Sequence, residues 1–134
     1  MDYRKFMDRC LQLAEIARQR GDSPVGSLLV RHDQVIGEGI EGGRTHRDIT
    51  FHAEIEAIRS AVAALESYDL TGCTLYTSHE PCIMCSYVIR HARVSTVVIG
   101  QPSGEIGGVS SAYPVLIAND VSVWGKPPGI VYLG

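Results

Sequence analysis

Apolar positions recur at helical spacing from the start of the chain: Phe6, Cys10, Leu13, Ala14 and Ala17. That period predicts an amphipathic helix over about residues 2–20, closed by Gly21. The pattern then changes. Val25 to Val30 and Gln34 to Ile40 read as two strands joined by a turn at His32-Asp33. Residues 41–48 are Gly-rich and polar, which predicts a loop. Thr50 is placed to cap a second helix, with Ile55, Ile58, Val62 and Leu65 on one face. This puts His52 and Glu54 in that helix's first turn. Thr71-Gly72 leads into a third strand, Cys73 to Thr77. Pro81 suits the start of a third helix, with Met84, Tyr87 and Val88 at helical intervals. Val94 to Ile99 is short and β-branched, which predicts a buried strand. Ser111 is placed to cap a short final helix including Val115 and Leu116. Val121 to Val123 and Ile130 to Tyr132 read as strand-like pieces around a Lys126-Pro127-Pro128-Gly129 turn. Helices alternating with strands from Thr50 onward imply an α/β fold with a mixed sheet sandwiched by helices.

Composition narrows the class. A length of 134 residues suits one domain with a real core, and 45% hydrophobic with 20% charged residues is ordinary for a soluble globular protein. No run approaches the roughly 18–20 apolar residues of a membrane span, and Met1-Asp2-Tyr3-Arg4-Lys5 lacks the apolar core of a signal peptide. Of four cysteines, Cys10 and Cys73 lie in apolar-periodic segments and read as buried free thiols, which fits a reducing cytoplasm. A net charge of −3 argues mildly against a polyanionic partner.

Two short strings carry the chemistry. The first is His52-Ala53-Glu54 and the second Pro81-Cys82-Ile83-Met84-Cys85. One imidazole and two thiolates suit a borderline-soft cation such as Zn2+, and three protein ligands leave the fourth tetrahedral position open for water. Glu54, with no ligand role left to fill, is the natural proton carrier for that water. Two other readings compete. A closed zinc knot would recruit Cys73 as a fourth ligand but leaves Glu54 without a purpose, and a metal-free dithiol has no use for the His-Glu pair. The joint pattern of H-x-E followed by P-C-x-x-C is the signature of zinc-dependent nucleobase deaminases. Both strings open predicted helices, where the positive dipole end and free N–H groups favour thiolate and can receive an oxyanion.

With these residues in hand, the chain resembles the cytidine deaminase-like superfamily, in the branch of tRNA adenosine deaminases, guanine deaminases and fungal cytosine deaminases. The resemblance covers about residues 1–100. It rests on Pro24-Val25-Gly26, Val35-Ile36-Gly37-Glu38-Gly39, His52-Ala53-Glu54-Ile55 and Glu80-Pro81-Cys82-Ile83-Met84-Cys85. It implies a three-layer α/β/α sandwich around a five-stranded mixed sheet, usually as a homodimer or larger oligomer. It implies zinc on His52, Cys82 and Cys85, with Glu54 as the catalytic acid–base: Glu54 takes a proton from water, passes it to a ring nitrogen of the base and later protonates the departing ammonia. It further implies substrate contacts from the Ala53 N–H and the Glu80 main-chain carbonyl.

Departures from the pattern shape the substrate expectation. Relatives in the branch usually place Asn eleven residues before the zinc His, where this chain has Glu41. A carboxylate only accepts hydrogen bonds, so Glu41 in that place calls for a ligand presenting N–H donors; a loop taking another course would leave it in solvent. tRNA adenosine deaminases carry a basic stretch after the strand matching Val94 to Ile99. Here Gln101-Pro102-Ser103-Gly104-Glu105-Ile106-Gly107-Gly108 holds no Lys or Arg. Phosphates need neutralising, so tRNA is disfavoured and a small amino-heterocycle (cytosine, guanine, adenine or triazine type) is the expected substrate. His79, beside the cysteine motif, is placed to line the entrance, and Trp124 is a candidate lid that stacks on the base. The rival readings are a tRNA adenosine-to-inosine deaminase and a non-catalytic zinc-binding protein of the same fold.

Overall fold

A computed structural model describes residues 2–134. Helix α1 spans Tyr3–Gln19, capped by the Asp2 carboxylate accepting from the Lys5 N–H at 3.1 Å and followed by Gly21 at φ +87°. Strands β1 (Gly26–Arg31) and β2 (Gln34–Ile40) form a hairpin. His32 and Asp33 both take positive φ, 51° and 60°, as a two-residue turn matched to strand twist requires. Next come α2 (Gly43–His46), α3 (Ala53–Leu65), β3 (Thr74–His79), α4 (Ile83–Ala92), β4 (Thr96–Gln101) and β5 (Gly129–Tyr132).

The five strands form one mixed sheet in the order β2-β1-β3-β4-β5. β1 is antiparallel to β2 and β3, while β3, β4 and β5 run parallel. Alternate residues point to opposite faces. Leu28, Val30, Tyr76 and Val98 pack beneath α1, and Leu29, Leu75, Val97 and Ile99 pack beneath α3 and α4. The fold is therefore the three-layer α/β/α sandwich. Close helix–sheet contact needs Gly39: a Cβ there would collide with the Ala53 carbonyl, so its absence lets the start of α3 lie directly on β2.

Several local expectations are corrected. The segment 41–48 holds a short helix, α2, closed by Arg47 in the left-handed region. Thr50 does not cap α3. Its N–H and hydroxyl both donate to the Asp48 carboxylate, at 2.9 and 2.7 Å, so the cap position falls to His52. On α4 the buried stripe is Cys85, Ile89 and Ala92, and Tyr87 is exposed, because the helix is phased by its cysteines turning inward. No helix follows Ser111. Its hydroxyl accepts from the Tyr113 N–H at 3.0 Å in a local turn, with Pro114 next in the chain. Residues 122–124 form a 3₁₀ turn instead of a strand. Among the described residues no helix is long and apolar enough to cross a membrane.

Candidate metal centre and active site

His52 is the N-cap of α3 and Cys82 the N-cap of α4; Cys85 lies in the first turn of α4. The two helices lie side by side on one sheet face, so motifs thirty residues apart meet. His52 Nδ1 stands 3.5 Å from Cys82 Sγ and 3.4 Å from Cys85 Sγ. Zn–S bonds of about 2.3 Å and Zn–N bonds of about 2.0 Å at a tetrahedral angle set N and S roughly 3.5 Å apart. The observed separations thus fit this cation. His52, Cys82 and Cys85 are the one group of this kind among the described residues. Cys73 is buried in the core with Leu70 and Val97, away from the trio, which removes the closed-knot reading.

Charge in the trio agrees with that fit. The Cys85 thiol, joined by His52, draws the Cys82 thiol down to about 4, and the Cys82 thiolate lifts His52 to about 9. Cys85, hydrogen-bonded to Cys82 and buried, is pushed up. These protons are the ones a divalent cation displaces on binding. Glu54 is 4% exposed and stands in the first turn of α3. Burial raises its carboxyl to about 8; a divalent cation beside it acts in the opposite sense.

Glu54, His52 and Cys82 open onto a cleft of ≈ 290 Å³. Glu41 and His79 line it too. Glu41 is half-buried; its Oε2 accepts from the Gly43 N–H at 3.0 Å, and burial raises its carboxyl. His79 is lowered by burial, with Nδ1 3.3 Å from the Ser78 hydroxyl oxygen. Ala53 opens α3 with its side chain fully buried, and its N–H is among the first four of the helix, which have no intrahelical acceptor. Trp124 is a correction. It stands outside the cleft, edge-on to Tyr87 and His91 of α4 and 5.0 Å from the Arg90 guanidinium, because the 3₁₀ turn docks on that helix.

Glu80 does more than its main chain suggested. Its carbonyl accepts from the Ser103 hydroxyl at 2.8 Å. Its buried carboxylate accepts from the N–H groups of Ser103, Val109 and Ser110, at 3.2, 2.8 and 2.8 Å, and from the Ser110 hydroxyl. Burial works to raise this carboxyl, and the Ser110 and Val109 bonds outweigh it, so it is held below its ordinary value. The loop from Ser103 to Ser110 is thereby fastened over the cleft, where Ser103 and Ile106 contribute to the wall. The legible signal was the Gly107-Gly108 pair: a Cβ on Gly107 would strike the Glu80 carboxylate.

Glu80→Ala leaves those N–H groups without an acceptor and is expected to cost roughly 3 kcal/mol. The group is ionised in the fold below its unfolded pKa. Its stabilisation is therefore complete above the unfolded value of about 4.3 and is lost as pH falls through the folded one. Urea unfolding of Glu80→Gln should accordingly change less than wild type between about pH 5 and about pH 3.

Residues 1–101 match the cytidine and deoxycytidylate deaminase zinc-binding region. The chain belongs to this family of zinc-dependent deaminases. It is 42% identical over 95 residues to the tRNA-specific adenosine deaminase of Buchnera aphidicola, covering 71% of this chain and 59% of that protein. The corresponding Aquifex aeolicus protein is 35% identical over 111 residues, covering 83% and 74%. The chain therefore spans less than two thirds of the Buchnera relative's length. A structure from a study of A-to-I editing by tRNA:A34 deaminases superimposes with a TM-score of 0.87 at 32% identity, covering 96% of each chain. Guanine deaminase from Bacillus subtilis gives 0.73 at 38% identity, covering 76% and 66%. The tRNA-specific relatives overturn the expectation of a free nucleobase or other small amino-heterocycle, and with it the argument against tRNA. Neither the net charge of −3 nor the lack of cations after β4 excludes RNA, because a phosphate contact can be supplied from any element near the cleft.

Proposed function

We propose that this chain is a single-domain zinc-dependent hydrolase that converts adenosine to inosine in tRNA and releases ammonia. The observation that carries this reading is Glu54, a buried carboxyl on the wall of the same cleft as His52 and Cys82. The tRNA-specific relatives supply the substrate class.

His52, Cys82 and Cys85 would hold the zinc. When bound, it supplies Lewis acidity and lowers the pKa of a water from about 16 toward about 7. Glu54 takes one proton of that water and delivers it to a ring nitrogen of adenine, which makes the amino-bearing carbon electrophilic, and the water oxygen bonds to that carbon. Glu54 then collects the second proton from the added oxygen and hands it to the amino group, so that the C–N bond breaks, ammonia leaves and a ring carbonyl remains. The Glu80 carbonyl and the Ala53 N–H orient the base from the mouths of α4 and α3. The Glu41 oxygen not held by Gly43 accepts from a donor on the nucleotide. The Ser103–Ser110 loop limits water entry. Free thiols at Cys10 and Cys73 support a cytoplasmic location. Exposed Tyr87 and Val123 beside Trp124 support a homodimer.

The test is ammonia release and inosine formation from an RNA stem-loop with adenosine in its loop, run beside free adenine, cytosine and guanine. Turnover of the RNA with none of the bases is expected. Turnover of a free base with none of the RNA overturns the reading.

A further inference from the structure

The proposed substrate carries phosphates, yet the chain has a net charge of −3 and no cation between residues 101 and 110. The uncompensated cations lie elsewhere. Between Glu41 and Asp48 the chain reads Gly-Gly-Arg-Thr-His-Arg, with no acidic side chain. Arg44 and Arg47 are exposed and have no ion-pair partner among the described residues.

This segment leaves the cleft wall at Glu41 and is anchored along its length. Thr45 donates through both its N–H and its hydroxyl to Asp22, whose neighbour Ser23 lines the cleft. Gly42 donates to the Phe51 carbonyl at 3.0 Å, and His46 stacks on the Phe51 ring with centroids 4.0 Å apart, next to His52. The flanking carboxylates are engaged: Glu41 accepts from Gly43, and Asp48 accepts from Thr50. A groove of ≈ 530 Å³ adjoins α2, lined by Arg20, His46, Phe51 and Arg59 together with Glu38 and Glu56. Those two carboxylates are spent on Arg9 and Arg59, at 2.7 and 3.0 Å. Arg20 on that wall has no ion-pair partner among the described residues.

We infer that Arg44 of α2 and Arg47, which closes it, are phosphate-binding residues that hold the RNA backbone beside the target nucleotide. The inference rests on the RNA reading above. A guanidinium fork matches a phosphodiester, and a pair of arginines on an anchored segment that starts at the cleft-lining Glu41 can fix the strand while the base enters. This assignment places the electrostatic footprint on the β2–α3 connection and not on the loop after β4.

The test compares R44A/R47A with R4A/R31A. The second pair removes the same formal charge from positions remote from the cleft: α1 runs from Arg4 toward Ser23, and β1 runs away from Val25 to Arg31. Binding of the adenosine-containing stem-loop is measured by anisotropy over a salt series, together with kcat and KM for inosine formation. Loss of two phosphate contacts should reduce the slope of log affinity against log salt by about 1.4. KM should rise on the order of tenfold with kcat kept, as for loss of uniform binding. R44K/R47K should recover most of the slope, and R4A/R31A should match wild type. An R44A/R47A protein with the slope and KM of R4A/R31A, or one that loses only kcat, overturns the assignment while wild-type RNA turnover stands. A wild-type protein that neither binds nor deaminates the RNA removes both this assignment and the reading it rests on.

Discussion

Glu54→Gln is expected to reduce kcat by about 10²–10⁴-fold, the usual contribution of a positioned general acid–base. That corresponds to roughly 3–5 kcal/mol of barrier. The substitution keeps the shape of a side chain that is only 4% exposed, so the helix start and cleft wall stay in place. Zinc content should remain at one ion per chain, because the metal-ligating group is His52, Cys82 and Cys85 without Glu54. Metal analysis beside turnover separates the roles. Retained zinc with lost turnover supports a proton carrier. Zinc lost with turnover would make Glu54 a ligand, and full turnover with zinc present would remove it from the chemistry.

Cys85→Ala is the second large effect. Cys85 is fully buried in the first turn of α4, 3.4 Å from His52 Nδ1. Without its thiolate the trio becomes a two-ligand site. Loss of an outer-shell partner alone typically costs 10–100-fold in metal affinity, and loss of a ligand should exceed about 100-fold. Turnover should fall to background and stay there when zinc is added. Stability reads the same event: zinc at about 100 times its Kd adds about 2.7 kcal/mol to a protein that binds it only when folded. Thermal unfolding of wild type should therefore drop on chelation, whereas Cys85→Ala should not respond. A variant that still gains stability from zinc would show that Cys85 is not a ligand.

The sandwich and the metal trio were legible because each rests on local rules. Helical spacing of Phe6, Cys10 and Leu13, and β-branched runs such as Val94–Ile99, report burial directly. The His-x-Glu and Pro-Cys-x-x-Cys strings report a donor set whose chemistry has few other uses. What escaped depends on contacts made far along the chain. Thr50 carries a good capping hydroxyl, but Asp48 captures it. Tyr87 falls on the helical period, but the inward turn of the cysteines sets the phase of α4 and leaves it exposed. Trp124 has the right chemistry for a lid, yet its 3₁₀ turn docks against Tyr87 and His91. The Gly107-Gly108 pair marked a close approach, yet Glu80 looked like any acidic residue before a proline, and only the folded loop identifies it as the partner and reveals its four donors. The substrate was misjudged for a related reason. Net charge and one segment after β4 were weighed, while the exposed Arg44 and Arg47 follow Glu41 of the cleft wall in the chain.

Incubation of the zinc-loaded protein with the adenosine-containing stem-loop in heavy-oxygen water tests hydrolytic deamination most directly. The expected result is inosine carrying one labelled oxygen from solvent, with an equal amount of ammonia, and neither product with Glu54→Gln. Adenosine recovered intact from a protein holding one zinc per chain, or inosine without the solvent label, would contradict it.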